Sequence, residues 1–140
     1  MKRTSNAHWN GNLKEGKGNI STQSTVLNKT QYSFNTRFAD GIGTNPEELV
    51  AAGHAGCFTM AVSAILTQQG ITAGDLDTKA VIELDPASQK ITGIALELTA
   101  SKIDGVSEEA FKSSAQLAKE NCPISKLLTG APITLNVIYG

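Results

Sequence analysis

Asn45-Pro46-Glu47-Glu48-Leu49-Val50-Ala51-Ala52-Gly53-His54-Ala55-Gly56-Cys57-Phe58-Thr59-Met60 is the stretch on which the fold turns. Asn45 is a capping residue type, and Pro46 suits the first helical position, where its missing N–H is not needed. Glu48 stands three residues after the cap, where a carboxylate can return to the cap's own N–H. That assigns Glu48 to the backbone and leaves Glu47 free. The pattern predicts a helix from about Pro46 to Gln69, stopped at Gly70, a good left-handed terminator. Its middle is rich in Gly and Ala with few polar groups, so burial on most sides is expected. Gly53 and Gly56 each cost about 1 kcal/mol of helix propensity against Ala. Close approach of another helix or strand is the gain that offsets this.

Working outward, Ala7 to Leu13 and Asn19 to Thr25 read as strands joined by the hairpin connection Lys14-Glu15-Gly16-Lys17-Gly18. A third strand is predicted from Tyr32 to Phe38, where Tyr32, Phe34 and Thr36 alternate with Ser33, Asn35 and Arg37. In that reading Arg37 lies on the face opposite Phe34 and Phe38. Downstream, Leu76 to Leu84 and Ile91 to Ser101 read as strands joined around Asp85-Pro86-Ala87-Ser88. Ile94, Leu96 and Leu98 share one face, as in a half-covered antiparallel sheet. Ser107 caps a second helix running to about Glu120, with Glu108 and Glu109 favourable in its first turn. Cys122-Pro123 opens a short helix ending near Gly130, and Ile133 to Tyr139 makes a last strand. Strands segregated from helices indicate an α+β fold, and 140 residues indicate a single domain over 1–140.

Composition narrows the function classes. With 40% hydrophobic and 18% charged residues the chain is an ordinary globular protein. A net charge of -1 with scattered Lys and Arg gives no footprint for nucleic acid or an anionic membrane surface. No run of about 18 apolar residues for a membrane span is expected. Met1-Lys2-Arg3-Thr4-Ser5 lacks the apolar core of a signal peptide that would follow it, so the expected location is cytoplasmic, where thiols stay reduced. Asn19-Ile20-Ser21 and Asn28-Lys29-Thr30 are then chance matches to a glycosylation triplet. His8 and His54 are the only histidines, and no spacing suits zinc, so no metal is expected. Gly41-Ile42-Gly43 lacks the rest of a phosphate loop.

Cys57 and Cys122 are the only cysteines. Each has a bland reading as a small buried hydrophobe. The functional reading needs a cation that lowers a thiol's pKa from about 8.5 towards neutrality. Arg37 is the candidate, since a guanidinium stays charged and can hold a carboxylate and a thiolate together; otherwise it is a solvent-facing arginine. Cys122, capping the helix that Pro123 begins, would face that helix's positive end, which makes it the more acidic thiol by spacing alone. Glu47 lies ten residues before Cys57 on one helix, about 15 Å along the axis. If both serve one site, the carboxylate comes from a second subunit; otherwise Glu47 is a first-turn acid. His54 stands one turn before Cys57 and is read as packed or hydrogen-bonded. Trp9, Phe34, Phe38 and Phe58 are read as core or interface, some of them lining an apolar pocket around Cys57.

Asn45-Pro46-Glu47-Glu48-Leu49 with Ala51 to Phe58, and Ala118-Lys119-Glu120-Asn121-Cys122-Pro123-Ile124-Ser125, resemble the two cysteine motifs of the OsmC/Ohr family of thiol peroxidases. Ala7-His8-Trp9-Asn10-Gly11 and Tyr32 to Phe38 resemble its OsmC branch. The resemblance implies an intertwined homodimer with two long central helices and antiparallel sheets wrapped around them. It implies reduction of organic hydroperoxides, and more weakly of hydrogen peroxide, in oxidative or osmotic stress. Cys57 is then the peroxidatic thiol, Cys122 the resolving thiol, and Arg37 with Glu47 the activating pair, which overrides the order of attack suggested by capping. No cofactor is implied beyond an external dithiol reductant, which is of lipoyl type for some relatives. Some relatives lack the cysteines, so a dimeric stress or small-molecule-binding protein without turnover is the alternative.

Overall fold

Short polar strands at the N-terminus pair into a three-stranded antiparallel sheet in the computed structural model, which describes residues 1–140. Its strands are β1 (Ser5–Asn10), β2 (Lys17–Thr22) and β3 (Thr30–Tyr32). Gly18 pairs with Trp9 on one side and Tyr32 on the other, and those two rings meet at 5.4 Å between centroids. A Cβ on Gly18 would strike both rings, so the glycine is what lets them close over the sheet. This sheet belongs to a compact unit of Met1–Leu49.

Tyr32 to Phe38 is not a single strand. Strand β3 ends at Tyr32 and a helical turn, α1 (Phe34–Phe38), follows. Ser33 caps it: its hydroxyl accepts the Thr36 N–H, and the Thr36 hydroxyl accepts the Ser33 N–H. These two reciprocal bonds outweigh the strand-like alternation, because a five-residue helix is too short for a period of 3.6 to show. Arg37 consequently does not face away from Phe38; its guanidinium lies 5.2 Å from the centre of that ring.

The long helix α2 runs Pro46–Gln68, close to expectation, and Gly70 takes the left-handed conformation at φ +75°. Asn45 caps it by accepting the Glu48 N–H at 2.8 Å. Glu48 does not close the expected box; its carboxylate accepts the hydroxyl of buried Thr44 at 3.1 Å. Burial on most sides is not found within this chain. Only His54, Phe58, Val62 and Leu66 are buried, a stripe spaced by four residues along one face. Gly53 and Gly56 have open space where a Cβ would stand. With 23 residues and this composition, α2 is also long and apolar enough to match a membrane span, contrary to expectation. Its Gly and Ala content produces that match, while its inner stripe is the core face of the second unit.

That unit, Val50–Gly140, holds the sheet β4 (Leu76–Asp85), β5 (Lys90–Ala100) and β6 (Ile133–Tyr139). Strand β5 is central, antiparallel to β4 and parallel to β6. The parallel pair arises because helices α3 (Glu108–Asn121) and α4 (Pro123–Leu127) carry the chain back across before β6. Ser107 caps α3 by accepting the Ala110 N–H. One core joins Phe58, Val62 and Leu66 of α2, Leu96, Leu98 and Ala100 of β5, and Phe111, Ala115 and Ala118 of α3. Cys122 is part of it. Each unit combines a three-stranded sheet with helices, which keeps the chain α+β.

Candidate active site

Cys122 is fully buried at the α3–α4 junction, and Cys57 is half-buried on α2. Their sulfurs lie 3.1 Å apart although 65 residues separate them in sequence. Both are free thiols at a distance where one proton can be shared between them. Core packing of α2 against α3 creates this contact: Phe58 beside one sulfur and Ala118 before the other belong to the same cluster.

Cys122 caps α4 as its spacing suggested, its sulfur accepting the Ser125 N–H at 3.5 Å. Burial pushes this thiol up, but the Ser125 N–H, the Cys57 thiol and the Ser125 side chain together bring it below its ordinary value. Cys57 is pushed up, first by burial, against the opposing pull of the Ile124 N–H, and further by its neighbour Cys122. Burial and neighbours thus leave the buried Cys122 the more acidic thiol of the two and the half-buried Cys57 the less acidic. A dissolved oxidant meets Cys57 first, and only a cation brought to Cys57 would make it a thiolate there.

His54 makes no hydrogen bond to Cys57. It is buried on the inner stripe of α2, with Nε2 at 2.8 Å from the Ser125 hydroxyl and Nδ1 without any partner. Burial lowers its pKa, so it stays neutral. Sequence reading missed Ser125, and no local signal marks a contact that spans 71 residues.

Arg37 and Glu47 form a second constellation inside the first unit. The Arg37 guanidinium reaches the Glu47 carboxylate through Nη2 at 2.7 Å and Nε at 3.1 Å. Capping of α1 by Ser33 and of α2 by Asn45 sets the two side chains face to face, and the Asn45 side-chain amide ties the turns by donating to the Thr36 carbonyl at 2.9 Å. A fork held this way is pre-oriented and keeps donors free for a further anion. Beside it lies a cleft of about 290 Å³ lined by Trp9, Leu13, Tyr32, Phe34, Phe38 and Arg37. Phe58 is wholly core.

Residues 39–137 match the family model described as OsmC-like protein. The chain is 47% identical over 132 residues to Peroxiredoxin OsmC of Escherichia coli (strain K12), covering 93% of this chain and 91% of that one. It is 34% identical over 101 residues to the organic hydroperoxide resistance protein-like protein of Staphylococcus aureus (strain USA300), covering 71% and 72%. Among solved structures, an organic hydroperoxide resistance protein OsmC from Legionella pneumophila superposes with a TM-score of 0.70 at 26% identity, covering 96% of each chain.

Proposed function

The chain belongs to the OsmC family, and from that premise we propose that it is a thiol peroxidase that reduces organic hydroperoxides through Cys57 and Cys122. The observation that carries this reading is the 3.1 Å contact between a half-buried and a fully buried thiol. Such a pair can capture an oxidised sulfur without moving the backbone.

In this mechanism the Cys57 thiolate attacks the outer oxygen of the hydroperoxide. The O–O bond breaks, the sulfur keeps the outer OH as a sulfenic acid, and the departing alkoxide takes a proton from water and leaves as the alcohol. Cys122 then attacks the Cys57 sulfur, and the S–O bond breaks to release water and form the disulfide. An external dithiol reopens it by exchange and is itself oxidised. No bound cofactor or metal takes part.

No cation of its own unit is hydrogen-bonded to Cys57, and its pKa is raised there. Arg37 is the residue that supplies one, steered by Glu47, and both come to Cys57 from a second copy of the chain. The uncovered side of α2, with Gly53, Gly56 and the 75% exposed Met60, supports a homodimer built on this helix. The aromatic cleft beside Arg37 suits the carbon tail of an organic hydroperoxide better than hydrogen peroxide, which has none. Turnover of cumene hydroperoxide by wild type and Cys57→Ser tests the reading. Loss of turnover in the variant is expected, and undiminished turnover ends the proposal.

A further inference from the structure

His54, Ser125 and Cys122 form a buried chain of contacts that the mechanism above leaves without a task. All three side chains are shielded: His54 and Cys122 are 0% exposed and Ser125 5%. The contacts run from His54 Nε2 to the Ser125 hydroxyl at 2.8 Å, then from the Ser125 N–H to the Cys122 sulfur at 3.5 Å, and finally to Cys57 at 3.1 Å. The orphaned Nδ1 fixes the direction of the first bond. A buried N–H without an acceptor is rarer and costlier than a buried lone pair without a donor. The proton therefore sits on Nε2 and is donated to Ser125, which leaves the Ser125 hydroxyl hydrogen free for another acceptor. The Ser125 N–H that this side chain anchors is the group that reaches the Cys122 sulfur.

We propose that His54 and Ser125 are positioning residues for Cys122: the imidazole holds the Ser125 side chain so that the Ser125 N–H stays on the buried sulfur. Their task is disulfide closure, not the attack on peroxide. Closure needs Cys122 to give up its proton and displace the oxygen on Cys57. The Cys122 sulfur gains a bond to the Cys57 sulfur, the Cys57 S–O bond breaks, and the displaced oxygen leaves as water with the Cys122 proton. The oxidising equivalents already reside on Cys57, so no further oxidant is required. That task rests on the peroxidase reading, whereas the positioning of Cys122 does not. The titratable groups in contact with this sulfur are Cys57 directly and His54 through Ser125. No charged side chain is hydrogen-bonded to either thiol.

Thiolate absorbance of Cys122, titrated in the full-length Cys57→Ser protein, is the test. It needs no peroxide and so separates this inference from the peroxidase reading. Adding Ser125→Ala should raise the titration midpoint by about one unit, a tenfold loss of thiolate at fixed pH. His54→Leu should raise it similarly, whereas His54→Gln, whose amide can still donate to Ser125, should hold it near the parent value. With Cys57 restored, Ser125→Ala should slow disulfide closure about tenfold after one equivalent of cumene hydroperoxide. An unchanged midpoint in Ser125→Ala overturns the proposal. Should that variant not fold, equal midpoints for His54→Gln and His54→Leu overturn it instead.

Discussion

Replacing Gly53 and Gly56 with Leu separates a lone chain from a paired one by the sign of the effect. Neither glycine has any atom within 4 Å of the place where a Cβ would stand, so a single chain offers no obstacle. Leu lies close to Ala on the helix scale, and each replacement of Gly gains about 0.8 kcal/mol in a helix interior. For a lone chain the double variant is then more stable by about 1.5 kcal/mol, which raises Tm by roughly 4 °C for a protein of this size. If a second α2 approaches over these glycines, the new side chains hold the two helices apart. Overpacking of that kind costs about 1–3 kcal/mol per site, and it is felt in both copies. The expected result is a lower Tm and loss of dimer mass, read by differential scanning calorimetry and analytical ultracentrifugation. A rise in Tm with unchanged mass would refute the reasoning and remove the route by which Arg37 reaches Cys57.

Other consequences follow from the thiol pair and its surroundings. Cys122→Ser should consume one equivalent of cumene hydroperoxide per Cys57 and then stall, with a dimedone adduct on Cys57; sustained turnover with a dithiol would contradict it. Arg37→Met should lower kcat/KM at least about tenfold near neutral pH, since each unit of rise in the Cys57 pKa costs a factor of ten in thiolate. An unchanged kcat/KM would remove Arg37 from the site. His54, held neutral by burial, titrates in the folded chain below its unfolded value of 6.5. The unfolded chain therefore binds the proton more readily, so this contribution to stability is whole above pH 6.5 and falls away as pH drops below it. Urea midpoints across that range should decline with acid, and His54→Gln should flatten the slope.

Local chemistry made much of this molecule legible. Asn45 and Pro46 set the start of α2, Gly70 its end, and Ser107 and Cys122 mark the starts of α3 and α4 because each cap satisfies an N–H within three residues. Where two local signals competed, the weaker was easy to follow. Ser33 and Thr36 carried the capping box of α1 in plain view, yet the alternation around Phe34 reads equally as a strand. Thr44 illustrates the same point, since its buried hydroxyl takes the carboxylate that the cap would otherwise hold. Long-range contacts were beyond reach: nothing near Cys57 announces Cys122, and nothing near His54 announces Ser125. The Gly- and Ala-rich surface of α2 reads as demanding neighbours on most sides, whereas this chain supplies one only along the His54–Leu66 stripe.

One equivalent of cumene hydroperoxide added to the reduced wild-type protein, followed by intact mass and peptide mapping, addresses the sulfur contact itself. The account predicts a loss of two hydrogens and a single peptide cross-linked between Cys57 and Cys122. An unchanged mass with both thiols still alkylable, or a cross-link between two different chains, would contradict it.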